Sequence, residues 1–204
     1  MAALNDLVKA GKVRAIGASA MYGYQFYNMQ LTARDHGWAS FQAMENHYNL
    51  LYREDERELI PICRQMGVSL IPYSPLAGGH LTHPYWHSDT LRSRTDRVLA
   101  GKYDRAQEND MQIVKRVQKL AERYHVKMQQ VALAWQWAKG VAAPIVGATK
   151  ASYLDDAAAA LDLQLTKQDI AYLEAPYQPH AIVGAINHNP DQGTVLIDEK
   201  KDAN

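Results

Sequence analysis

Ile71-Pro72-Tyr73-Ser74-Pro75-Leu76-Ala77-Gly78-Gly79 is an apolar run that breaks into a turn of small residues, and Pro144-Ile145-Val146-Gly147-Ala148-Thr149-Lys150 has the same character. A short apolar run closed by Gly and Pro reads as a buried parallel strand. Working outward, Lys12 to Gly17, Phe41 to Glu45, Val68 to Tyr73 and Ala143 to Gly147 are the strand candidates. Helical periodicity is predicted from about Tyr24 to His36, from about Asp55 to Met66, and from Glu108 to Lys139 with a division at His125-Val126-Lys127. Leu4 to Ala10 and Lys167 to Glu174 add helical stretches at either end. Gly37, Gly67 and Gly140 each follow a helix where a left-handed cap is wanted. Alternating strands and helices predict a parallel α/β protein. About four strand and helix units are present, half of the eight that close a (β/α)8 TIM barrel.

Composition narrows the classes of partner. Lys plus Arg number 22 and Asp plus Glu number 22, so the formal net charge is zero. That balance gives no electrostatic reason to expect nucleic acid or an anionic membrane. No run of about 20 apolar residues is present, so no membrane span is expected. Met1-Ala2-Ala3-Leu4-Asn5-Asp6 lacks the basic start and apolar run of a signal peptide. Cys63 is the single cysteine of the chain, which excludes an intrachain disulfide and suggests a reducing, cytoplasmic setting. Its place in Leu59-Ile60-Pro61-Ile62-Cys63 reads as an inert helix position, since no activating pattern surrounds it.

Residues with chemistry are sparse. His47 is the one member of His47-Tyr48-Asn49-Leu50-Leu51-Tyr52-Arg53 with plausible reactivity, and no carboxylate, second His or Cys follows at a metal-ligand spacing. Glu54, Asp55, Glu56 and Arg57 read as a solvated helix face, acidic at its start as the helix dipole prefers. The stretch from about Gly79 to Gln107 is too long for a simple connection and reads as a binding loop, with Tyr85 and Trp86 as candidate apolar walls. Residues 185–204 read as a polar, mobile tail, leaving residues 1–184 as the folded unit.

Leu4-Asn5-Asp6-Leu7-Val8-Lys9-Ala10-Gly11-Lys12-Val13-Arg14-Ala15-Ile16-Gly17-Ala18-Ser19, then His47 to Glu54, then Tyr73-Ser74-Pro75-Leu76-Ala77 resemble, in this order, signatures of bacterial and fungal aldo-keto reductases. The resemblance runs from about Leu4 to Gly184. It implies a TIM barrel that binds NADP(H) without a Rossmann fold and reduces an aldehyde or ketone, a small carbonyl substrate, by hydride transfer. It further implies that this chain holds strands 5 to 8 of the barrel. The family's catalytic Asp, Tyr, Lys and His lie on the early strands and have no counterpart here, so no catalytic residue is assigned. The chain then works within the intact barrel, or as a non-catalytic nucleotide-binding or structural half-barrel that associates with itself or with a separate N-terminal half.

Carried over position by position, the resemblance assigns cofactor contacts. Tyr73 lays its ring against the nicotinamide. Ser19 and Glu45 meet the carboxamide, although Glu45 stands where the family usually has Gln and cannot donate a hydrogen bond while ionised. Ser74, Leu76 and Ala77 run beside the pyrophosphate, where small residues let backbone N–H groups approach anionic oxygen. Ala148, Thr149 and Lys150 meet the adenosine 2′-phosphate at a helix start. Arg92 closes over the pyrophosphate from the long loop. Ala20, Tyr153 and Ala157 depart from the residues usual at their positions.

Overall fold

The computed structural model describes residues 1–87 and 101–184. Arg92, with residues 88–100 of the long loop, and the segment 185–204 lie outside the described residues. The chain opens in α1 (Ala2–Lys9), β1 (Ile16–Ser19), α2 (Gly23–Asp35) and β2 (Phe41–Glu45). A 3-10 turn over Glu54–Arg57 leads into α3 (Leu59–Gln65) and β3 (Ser69–Leu70). After the long connection come α4 (Gln107–Tyr124), α5 (Met128–Ala138), α6 (Ala151–Ala159) and α7 (Lys167–Glu174). Among the described residues the sheet is parallel, and its spatial order β1-β2-β3 follows the sequence. The expected parallel α/β class is therefore observed.

Three strand expectations need correction, for two reasons. Lys12 to Ala15 do not join β1, because Lys12 N is still bonded to Leu7 O in the wrap that ends α1. The ladder itself slips between Ile16 and Gly17. Gly17 suits that close approach, since a Cβ at that position would stand 3.1 Å from Ala43 O, tighter than ordinary van der Waals contact. The second reason is proline, which cannot donate to a ladder. Pro72 restricts the named β3 to Ser69–Leu70, although Ile71 N and Tyr73 N still reach Met44 O and Asn46 O at 2.9 Å. Ala143 to Gly147, with Pro144 inside it, forms no named strand. It runs beside β3 through Ala142 N to Leu70 O at 3.0 Å and Ile145 N to Pro72 O at 2.9 Å.

Helix boundaries follow from local chemistry. Gly37, Gly67 and Gly140 end their helices at φ of +64°, +67° and +81°. His125 takes the same left-handed conformation at φ +56° and separates α4 from α5. Thr166 and Asp169 form a capping box at the start of α7, each side chain bonded to the other's backbone N–H.

The core lies between the sheet and its helices. Phe26 of α2, Met44 of β2, Ile60 of α3, Ile113 and Val117 of α4, Val131 and Trp135 of α5 and Leu173 of α7 are all buried in one cluster. Full burial of side chains of this size stabilises by roughly 1.5–3 kcal/mol each. Gln30 of α2 fixes β2 in place. Its amide accepts from Phe41 N at 2.8 Å and donates to Phe41 O at 3.0 Å. Cys63 is fully buried in α3, and burial, then the Asp55 carboxylate, push its thiol up to about 12.

Glu54 overturns the expectation of a solvated acidic face. It is buried, and its Oε1 accepts from Tyr177 Oη and from His180 N, each at 2.7 Å. Arg57 does lie in solvent, 2.9 Å from Glu54 Oε2.

Candidate functional site

The Ser74–Gly79 turn bends because two residues that are not glycine adopt the left-handed region. Ser74 has φ +53° and Ala77 φ +49°. Such conformations cost about 1–3 kcal/mol and persist where the surroundings fix them. Here Asn49 Nδ2 donates to Ser74 O at 2.9 Å, and Ala77 N is bonded to Ser74 O at 2.9 Å. The turn forms one wall of a cavity of about 360 Å³ that also touches Ile145, Val146, Gly147, Gln129 and Tyr153. Its walls come from the turn, the segment beside β3, Gln129 and Leu133 of α5, and Tyr153 and Ala157 of α6.

Helix starts present unpaired N–H groups and the positive end of the dipole. Among the described residues no Asp, Glu, Lys or Arg lines this cavity, so neither a carboxylate nor a cation faces its interior. Ala148, Thr149 and Lys150 follow Gly147 as exposed residues, and Lys150 is the residue before α6 with its Nζ 5.7 Å from the Tyr153 ring centre. Ser74 and Leu76 line the cavity. Ala77 is buried in the turn that shapes it.

A second group of residues gathers around Tyr73. His47 stacks on Tyr52 at 4.2 Å and on Tyr73 at 5.1 Å, and the Lys102 ammonium stands 4.8 Å from the Tyr73 ring centre. Tyr103, wholly buried, is 2.7 Å from His47 Nε2 and 3.0 Å from Asn49 Nδ2. Burial first, then Lys102 and His180, pull His47 down to about 3, so the ring is neutral. Burial likewise raises Tyr73, with help from Asp55 and Glu45. Asp55 is held at 2.9 Å by Asn46 Nδ2 and is pushed up to about 6, chiefly by burial. Ser19 is exposed at the end of β1, and its Oγ donates to Glu45 O at 2.9 Å. Ala20 follows at φ +46° and borders the same cleft as Tyr73 and Asp55.

The predicted residues therefore fall into two neighbouring groups. Ser74 and Leu76 join Gly147 and Tyr153 around the cavity, while Tyr73 lies in the aromatic cluster and Ser19 meets Glu45 at the ends of β1 and β2. The cavity offers a turn of small residues and the Tyr153 ring, whereas the cleft at Tyr73 is narrow, about 20 Å³. Among the described residues, no three His, Cys, Asp or Glu side chains are grouped to hold a metal. No described helix is long and apolar enough to cross a membrane.

Residues 1–178 match the family described as Aldo/keto reductase family. The chain belongs to the aldo/keto reductase family. A protein of Schizosaccharomyces pombe is 50% identical over 190 residues, which are 91% of this chain and 52% of the relative. Versiconal hemiacetal acetate reductase of Aspergillus parasiticus is 44% identical over 183 residues, 89% of this chain and 53% of that protein. An aldo-keto reductase of Fusarium vanettenii is 45% identical over 185 residues, covering 90% and 50%. The chain spans about half the length of the curated relatives it matches.

Membership makes the chain part of an oxidoreductase family whose members act on carbonyl compounds. Sequence reasoning missed several residues that line this cavity of the aldo/keto reductase family member. Gln129, Leu133 and Thr82 line the cavity without having been singled out, and the α5 start that carries Gln129 was the available signal. Trp86, expected as a cavity wall, is instead buried and stacked on His80 at 4.2 Å, whereas Tyr85 is exposed.

Proposed function

We propose that this chain carries the cofactor-binding strand ends of an NADP(H)-dependent carbonyl reductase. The nicotinamide would lie at Tyr73, with Ser19 and Glu45 toward its carboxamide. The pyrophosphate would pass Ser74, Leu76 and Ala77, and the 2′-phosphate would end near Ala148, Thr149 and Lys150. The single observation that carries this reading is the 360 Å³ cavity between the Ser74–Gly79 turn and the first turn of α6. Its strained turn of small residues, and the lack of lining carboxylates among the described residues, suit a bound polyphosphate.

Bound NADPH supplies a hydride for the carbonyl carbon of an aldehyde or ketone. The chain's own residues orient the dinucleotide. The proton for the carbonyl oxygen is not assigned to any of them, because His47 and Tyr103 are bonded to each other in the interior, with little or no surface for a substrate oxygen to reach. Reduction is thus a property of the intact family barrel. Titration of the 204-residue chain with NADPH, followed by tryptophan fluorescence, tests the reading. Saturable quenching that weakens in Lys150→Ala is expected; quenching that never saturates overturns it.

A second reading, a nucleotide-binding or structural half that works by association, has its own support. Within the described sheet β1 is an edge strand, and α6 contributes no buried residue. Ile145, Leu154 and Leu161 are exposed at 44%, 54% and 57%. Open edges and apolar surface favour pairing with a second copy or with an N-terminal half. Light scattering of the purified chain separates the readings. A monomer that binds NADPH supports the first alone; an oligomer supports association.

A further inference from the structure

The segment after α7 turns back over the strand ends and is fastened at successive points. Tyr177 Oη accepts from Arg53 N at 2.8 Å and donates to Glu54 Oε1 at 2.7 Å. His180 N donates to the same Glu54 oxygen at 2.7 Å. The His180 ring lies with Nε2 at 3.0 and 3.1 Å from the two oxygens of Asp110, a residue with no exposed surface. Val183 N donates to Tyr52 Oη at 3.3 Å. A Cβ built on Gly184 would stand 3.7 Å from Tyr73 Oη.

These contacts leave little room at Tyr73. The cleft between Val183, Ala20, Tyr52, Asp55 and Tyr73 has a volume of about 20 Å³. That admits one water and no aromatic ring. On another side of the segment a cavity of about 570 Å³ is lined by Lys102, Arg105, Gln112, Pro179, His180 and Val183. The segment thus has a narrow cleft at Tyr73 and a wide cavity beside His180.

We propose that residues 177–184 form a latched strap that closes the Tyr73 seat against a planar ligand ring and opens when the His180–Asp110 contact is broken. The proposal rests on the reading of Tyr73 as the nicotinamide seat. Opening the strap joins the cleft to the larger cavity and admits the ring.

The groups around His180 set its response to pH. Asp110 faces it from α4, Glu54 from the 3-10 turn, Tyr52 and His47 from the connection after β2, and Tyr177 from its own segment. Lys102 stands near His47, and Arg105 and Glu108 line the adjoining cavity. Burial pulls His180 down, but the Asp110 hydrogen bond and charge outweigh it and hold the imidazole above its ordinary value. The charged latch therefore persists at mildly acidic pH and is lost as pH rises through that raised value.

Amide hydrogen exchange on the full chain, expressed as protection factors, reads the latch without any ligand. Protection at His180 and Val183 should fall roughly tenfold from about pH 6 to about pH 9 in the unaltered chain, and by a similar factor in Asp110→Asn at about pH 6. His180→Gln, which keeps a donor but no charge, should abolish the pH dependence. NADPH titration by tryptophan fluorescence should show tighter binding, by roughly the same factor, in Asp110→Asn. Unchanged protection across pH in the unaltered chain overturns the latch, whether or not the variants fold. Protection that falls as expected while NADPH binds no form keeps the latch and overturns the nicotinamide reading.

Discussion

The Tyr103 hydroxyl lies 2.7 Å from His47 Nε2 and so joins the end of β2 to the region that leads into α4. The pair is buried, His47 Nδ1 has no hydrogen-bond partner among the described residues, and the imidazole is pulled down to about 3. An unfolded His titrates near its ordinary 6.5, so below that pH the unfolded chain binds a proton that the folded chain refuses. The His47 contribution to stability is complete above about 6.5 and is lost as pH falls toward 3, at up to about 1.4 kcal/mol per pH unit. Imidazole NMR shifts should show His47 flat between about pH 5 and pH 8, in the range where an ordinary histidine titrates. A midpoint inside that range would contradict the burial described.

Gln30 clamps both polar groups of Phe41 at 2.8 and 3.0 Å. Gln30→Ala leaves that buried N–H and C=O without partners. The expected loss is about 2–3 kcal/mol, measured by urea unfolding as a lower midpoint with an unchanged slope. A loss near zero would mean that water replaces the clamp.

The Cys63 thiol is fully buried and pushed up to about 12. Thiolate is the reactive form, so disulfide reagents should leave native protein unmodified and label Cys63 at a rate that follows unfolding. Rapid labelling in native buffer would place the thiol at the surface.

Lys150 is exposed at the start of α6, next to the cavity wall at Gly147. Lys150→Ala should weaken NADPH by about tenfold, the effect of one charge-assisted contact, and leave NADH unchanged. Equal losses for both nucleotides would assign Lys150 to the shared pyrophosphate or to folding.

The sequence was most readable where a local signal closes an element. Phe41–Glu45 is a strand over the bounds expected of it, and α7 starts where Thr166 and Asp169 cap it. The division at His125 was visible for the same reason. Val68 to Tyr73 and Ala143 to Gly147 were read too long as strands, because Pro72 and Pro144 keep the fold's path while removing ladder donors. Glu54 was misread because its partners Tyr177 and His180 are 123 and 126 residues away. Local acidity gives no hint of such a burial. The turn at Ser74 could be found from its small residues, whereas the strain at Ser74 and Ala77 needed backbone angles.

Because β1, β2 and β3 stand in space in the order in which they are made, β2 and β3 each meet a neighbour already made, and no contact among the three has to be reopened. Within the described sheet Ile16–Ser19 and Ser69–Leu70 are the two borders, so a strand from elsewhere extends the sheet without parting any pair already formed.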